Sequence, residues 1–383
     1  ERGFCVAMAP RKDALVRIVD VGRGGETTLS LDPAAAAVTS PHWALYPAAV
    51  VRRLARDFKA PLEGADIFLL SDLPPSSGLS SSSALLIATF EALRLANGLD
   101  HREDFSGALP GVLEVAAYLG SVESGRPFGG FEGEAGVGTS GGSQDHTAIL
   151  ASEAGRLCRF GFAPVRSEGS VRLPGEATFV IAVSGVVARK TAGARDAYNR
   201  AASLSAAILR KWRAITGRHD ATLFEAVGSG ANAHQRLREA LGSGEGDFMP
   251  EALQARLDQF VNESLVLIPA AFDALASGDL AAFGRAVDRS QKGAESGLGN
   301  QVEETIALPR LARSLGAHAA SAFGAGFGGS VWALVSRSEA EGFRAAWERA
   351  YRRHYDHQNA NFLLTDAGPP LVRLAGCGPL GAP

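Results

Sequence analysis

Three short stretches hold the residue types that chemistry needs. "PPSSGLSSSS" (74–83) sets six serines around a Gly-Leu. "GGSQDH" (141–146) places the Asp145 carboxylate behind two glycines, and "FGAGFGG" (323–329) is rich in glycine. Small residues at a helix start leave backbone N–H groups open to a phosphate, and a serine hydroxyl can ligate Mg²⁺. A flexible linker ending in an ordinary serine cap would read the same way. An aspartate in a glycine-rich loop either accepts a proton from a hydroxyl or closes a local Asx turn.

The elements around these stretches bear on the choice. From Ala84 to Asn97 there is no Gly or Pro, and Leu86, Phe90 and Leu93 fall on one helical face. Gly98 supplies a left-handed stop, so the serine loop leads into a helix buried on most sides. β-like runs stand at 14–19, 27–31, 65–70, 147–151, 156–161 and 178–184, with a helix over 47–58. A glycine-rich stretch fills 125–146. Beyond residue 196 the pattern turns helical: Leu204, Ile208, Trp212 and Ile215 make a stripe closed by Gly217, and helices are predicted over 252–268 and 279–291. Another strand is expected at 330–335, with a helical stretch ahead of the glycines. No disordered linker divides the halves, which predicts two lobes packed together, 1–175 and 176–383.

Composition narrows the function classes. The chain has 383 residues, 46% of them hydrophobic and 21% charged, as a soluble globular protein with ample core does. A net charge of −3 without any Lys/Arg run gives no pull toward nucleic acid or an anionic membrane. No apolar stretch reaches the ~18 residues of a membrane span, since Pro269 and Asp273 interrupt the best one. The opening residues do not form a signal peptide. Cys5, Cys158 and Cys377 are too few and too far apart for a disulfide framework or a zinc site. A cytoplasmic protein is expected, monomeric or weakly homodimeric.

Two familiar patterns fail on context. "GAGFGG" satisfies G-x-G-x-x-G, but a strand follows it where a dinucleotide site needs a helix. "GTSGG" (138–142) satisfies G-x-S-x-G without a hydrophobic strand leading in. The P-loop pattern G-x-x-x-x-G-K-[ST] is absent.

In order and rough spacing, the three stretches resemble the motifs of the GHMP small-molecule kinases, and among these the galactokinases. "AYN" (197–199), "ALASGDLAAFGRAVDRS" (274–290) and the opening "GFCVAMA" (3–9) extend the resemblance along nearly the whole chain. It implies an α+β fold of two lobes, a ribosomal-protein-S5-like N-terminal lobe and a helix-rich ferredoxin-like C-terminal lobe, with the active site in the cleft. It implies ATP and Mg²⁺ as cofactors and a small sugar as substrate. Pro74, Ser76, Ser77, Gly78, Leu79, Ser80, Ser81 and Ser82 correspond to the loop around the ATP phosphates, buttressed by Gly326 and Gly328. Asp145 corresponds to the carboxylate that orients or deprotonates the anomeric hydroxyl. Gly141, Gly142 and Tyr198 fall at the sugar, and Ser81 and Glu123 at the metal. His146 reads as structural or solvent-facing.

The departures cluster at the sugar. Galactokinases carry Gly-Arg-Val-Asn-Leu-Ile-Gly-Glu-His-x-Asp-Tyr ahead of the segment that "GFCVAMA" resembles; a longer natural chain is expected to supply it, the alternative being a kinase without that sugar anchor. "AYNRAASLS" has Ala where the family has arginine after Tyr-Asn-x, and "GGSQDH" replaces Gly-Gly-Met-Asp-Gln. The expectation is a sugar kinase acting on galactose or a related monosaccharide. A non-catalytic sugar and ATP sensor and a kinase for a non-sugar alcohol are the alternatives.

Overall fold

The computed structural model describes residues 3–35, 41–58, 61–74, 77–186, 192–323 and 326–373, with the backbone alone over 192–198. Strands β1 (Phe4–Pro10), β2 (Leu15–Asp20) and β3 (Gly25–Ser30) lead through helix α1 (Leu45–Asp57) to β4 (Ala65–Ser71). They form one sheet in the order β1-β4-β2-β3, parallel only between β2 and β4. Helices α2 (Ser81–Ala96), α3 (Glu103–Ala108), α4 (Val112–Ser124) and α5 (Gln144–Ala151) complete this part. Ile18, Ile67, Leu54, Leu86, Phe90 and Leu119 share its core. Gly98 takes the left-handed conformation that ends α2, at φ 54°.

A hairpin of β5 (Arg156–Phe162) and β6 (Val165–Arg172) follows. Then β7 (Ala177–Val183) opens a second sheet, and a helical layer is inserted after it. That layer comprises α6 (Ala192–Thr216), α7 (Leu223–Gly228), α8 (Ala233–Ala240), α9 (Pro250–Asn262), α10 (Ile268–Ala276) and α11 (Leu280–Gly293). After α12 (Glu303–Ser314) come β8 (Ala319–Ala322), β9 (Ser330–Ser336), α13 (Ala340–Arg352) and β10 (Asn361–Thr365). The sheet order β10-β7-β9-β8 with its helices is the β-α-β-β-α-β arrangement of a ferredoxin-like lobe. Among the described residues no helix is long and apolar enough to cross a membrane.

Three local expectations are corrected. Residues 147–151 are the second half of helix α5, not a strand. A four-residue apolar run is ambiguous in period, and here burial of His146, Thr147 and Leu150 follows a helical face. The helix expected over 252–268 does not stop at Pro269. It passes through a π turn (Glu263–Leu267) into α10, where Pro269 stands in the first turn and its missing N–H is not needed. The glycines of 323–329 join two antiparallel strands, β8 and β9, so what precedes them is a strand rather than a helix. β1, β6, β8 and β10 have no counterpart in the sequence reading.

The glycine-rich stretch after α4 is held by an arginine row on α1. Arg52 Nε donates to Glu134 Oε2 at 2.7 Å, Arg53 Nη1 to the Arg126 carbonyl at 3.1 Å, and Arg56 to the Glu132 carbonyl. Arg53 is itself buried, 2.6 Å from the equally buried Asp57, and its guanidinium lies 5.6 Å from the centre of the Tyr118 ring. The Tyr118 hydroxyl donates to Asp57 Oδ2 at 3.1 Å. Burial, with the Asp57 carboxylate beside it, pushes this phenol well above its ordinary pKa, so it stays a donor. Removing one partner of a buried pair leaves the other charge uncompensated. Asp57→Ala is therefore expected to cost about 3 kcal/mol or more, read as a lowered urea midpoint.

Candidate active site

Helix α2 begins without a side-chain cap. Ser80 occupies the cap position at φ 54°, ψ 30°, a left-handed conformation that few residues other than glycine adopt. The first intrahelical bond runs from the Ala84 N–H to the Ser80 carbonyl at 2.9 Å. The N–H groups of Ser81, Ser82 and Ser83 thus precede the ladder, at the positive end of the helix dipole. The serine cap weighed from sequence is not what this terminus uses. Such a terminus can take an anion.

A second turn braces it. Gly78 (φ 73°) and Gly329 (φ 86°) meet backbone to backbone, and a Cβ on Gly329 would lie 3.0 Å from the Ser77 carbonyl oxygen. That carbonyl accepts from the buried Ser330 Oγ at 2.6 Å, while Ser77 Oγ donates to the Pro74 carbonyl. Behind Gly329, its carbonyl accepts from the Ser184 N–H and Oγ, and Tyr351 Oη donates to the Ser184 carbonyl at 2.7 Å. Gly326 (φ 76°) and Phe327 (φ 58°) close the turn, and the Phe327 N–H donates to the Asn300 carbonyl. Pro74, Ser77, Gly78, Leu79, Ser80, Ser81 and Ser82 thus belong to the turn and helix start that meet Gly329, which directly follows Gly328, while Gly326 lies against Asn300. Ser76, Gly324 and Ala325 lie outside the described residues.

Glu123 stands in the last turn of α4, beside this helix start. Its Oε2 accepts from the buried Ser83 Oγ at 3.0 Å and lies 3.2 Å from His146 Nε2. Ser83 rather than Ser81 is therefore the serine bonded to Glu123, a partner the sequence reading did not select. His146 is 1% exposed, so it faces Glu123 and not solvent. The Nε2 contact lacks the alignment of a hydrogen bond, and His146 has no aligned partner for either ring nitrogen among the described residues. The approach depends on Gly120, where a Cβ would lie 2.8 Å from Ser143 Cα. That clearance seats α5 on α4.

Asp145 lies in the first turn of α5, exposed, where the helix dipole favours a carboxylate. It heads a helix and closes no Asx turn in a loop. Of the two preceding glycines, Gly142 has its open side filled: a Cβ there would lie 2.1 Å from a ring carbon of Phe162 at the tip of the β5–β6 hairpin. Tyr198 stands in the second turn of α6, and its side chain lies outside the described residues. Its neighbour Asn199 is described, and it reaches the loop ahead of α5.

Residues 46–153 match the GHMP kinases N terminal domain, and residues 271–353 the GHMP kinases C terminal domain. The chain belongs to the GHMP kinases. It is 27% identical over 355 residues to the galactokinase of Roseiflexus sp. (strain RS-1), covering 92% of this chain and 80% of that protein. With the galactokinase of Chloroflexus aurantiacus (strain ATCC 29366 / DSM 635 / J-10-fl) it shares 29% identity over 356 residues, with the same coverage. The crystal structure of Lactococcus lactis galactokinase complexed with galactose superposes with a TM-score of 0.74 at 20% identity, over 97% of this chain and 87% of that one. The fold is the GHMP kinase fold, and the protein is a galactokinase-like member of the family.

A Cβ on Gly326 would lie 2.0 Å from the Asn300 carbonyl oxygen, at a φ that strains any L side chain. Gly326→Ala is expected to cost about 2 kcal/mol or more. The measurement is the urea unfolding midpoint, which should fall.

Proposed function

We propose that this chain is an ATP-dependent sugar kinase that places phosphate on the anomeric hydroxyl of galactose or a related monosaccharide. Two lobes, 1–175 and 176–383, would enclose the reactants. One observation carries the reading: an uncapped helix start, braced by a glycine turn, stands beside the part-buried Glu123 carboxylate, whose other neighbour is the helix headed by Asp145.

The chemistry follows from those groups. The N–H groups of Ser81, Ser82 and Ser83 hold the triphosphate, with Gly78 and Gly329 keeping side chains away from it. Asp145 accepts the proton of the anomeric hydroxyl as its oxygen bonds to the γ-phosphorus. The bond from that phosphorus to the β-γ bridging oxygen breaks, and ADP leaves with the electron pair. Phosphoryl transfer is mainly positioning and charge neutralisation, so Asp145 acts chiefly through its placement.

The donor set fits Mg²⁺. Among the described residues no three or more His, Cys, Asp and Glu gather as a metal cage, and Mg²⁺ arriving on phosphate takes few carboxylates besides water. Glu123 with the Ser81 and Ser83 hydroxyls would hold it. When bound, it neutralises the charge on the β- and γ-phosphate oxygens.

The test is ADP release from Mg-ATP across a panel of monosaccharides. Sugar-dependent release is expected, with Asp145→Asn lowering kcat at least 100-fold while ATP affinity stays within about threefold. No release from any sugar, with ATP still bound, would overturn the sugar-kinase reading in favour of a sensor or of a kinase for a non-sugar alcohol.

A further inference from the structure

The loop from Gly136 to Ser143 carries the chain into Asp145, and it has few holds of its own. Val137 donates its N–H to the Glu123 carbonyl at 2.9 Å, the Ser140 carbonyl accepts from Arg126 Nη2 at 3.3 Å, and the Thr139 side chain is buried. Gly138 sits at φ 85°, and Gly141 and Gly142 follow. Glycines widen the range of backbone conformations, so this segment needs an external restraint to keep one of them.

Asn199 supplies that restraint from the other side of the molecule. Its Oδ1 accepts the Ser140 N–H at 2.9 Å, and its Nδ2 lies 3.4 Å from the Gly138 carbonyl oxygen. The accepted bond is the stronger arm and the donated one the weaker. One primary amide thus grips the two backbone groups that flank Thr139. Only a side chain with both an acceptor and a donor can do this; a carboxylate lacks the donor. The contact spans 59 residues and ties α6 to the loop ahead of α5. Tyr198, the residue the family resemblance sets at the sugar, directly precedes it.

We infer that Asn199 is a positioning residue for phosphoryl transfer: its amide holds Gly138 and Ser140 so that Asp145 stands at a set place relative to the start of α2. The inference rests on the reading of Asp145 given above. The Asn199 amide bonds to the loop ahead of α5 and not to the start of α2, so its loss misplaces the proton acceptor without changing the phosphate loop. A displacement of about 1 Å in such a group costs on the order of 100-fold in rate.

The experiment compares Asn199→Ala and Asn199→Asp with the wild-type chain in three readouts: kcat and KM from sugar-dependent ADP release, ATP affinity by calorimetry, and hydrogen exchange at the Ser140 amide. Asn199→Ala is expected to lower kcat about 10- to 100-fold, keep ATP affinity within about twofold, and speed Ser140 exchange. Asn199→Asp keeps the acceptor for the Ser140 N–H and loses the donor, so its kcat should fall between wild type and Asn199→Ala. Wild-type kcat in Asn199→Ala overturns the inference, as does an equal loss of ATP affinity. An Asn199→Asp variant slower than Asn199→Ala overturns it too. A wild-type chain that binds ATP and turns over no sugar fails earlier, and that outcome overturns the function proposed for the site and the role of Asn199 with it.

Discussion

The structure depends on one close approach, that of the turn at Ser77–Gly78 to the turn at Gly329–Ser330. Two backbones meet there with no side chain between them, and the buried Ser330 hydroxyl donates across the contact. Each turn needs a left-handed glycine to present its flat side. The approach ties the start of α2, in the first sheet's half, to the β8–β9 turn, in the second's. Ser184 and Tyr351 extend it to the end of β7 and to α13, so the start of α2 is backed by packed elements of both halves.

A second junction shares the first one's helix. α2, α4 and α5 converge on Glu123, through Ser83 on one side and His146 on the other. The stretch after α4 is long and rich in glycine, yet α1 grips it with three arginines while Gly120 lets α5 sit against α4. The groups proposed for catalysis thus sit on helix ends whose bodies are buried. Their spacing is set by cores of Leu, Ile, Phe and Tyr side chains, which pack densely and resist displacement. For a reaction whose catalysis is mostly positioning, that rigidity is the useful property.

Much of this was legible in the chain. The α2 stripe of Leu86, Phe90 and Leu93 and the stops at Gly98 and Gly217 depend on neighbours within one or two turns, and they stand as read. The short run at 147–151 was misread because four apolar residues fit either period, and packing against α4 decided for helix. The π turn before Pro269 was equally out of reach, since its hydrogen bonds depend on the helices around it. At the site, the motif positions were visible as strings. Ser83 as the partner of Glu123 and Asn199 as the partner of Ser140 were not.

The reason is range. By itself the sequence determined the family, the helix that follows the serines, and the small residues that both turns require, because each of these is a property of adjacent residues. Tertiary structure alone decided which serine reaches Glu123, 40 residues away, that His146 is buried, and that an amide 59 residues distant grips the loop ahead of Asp145. Pairings of that kind carry no period and no spacing rule. They exist only once distant elements have packed together, when most buried polar groups find a partner among whatever the fold has brought near.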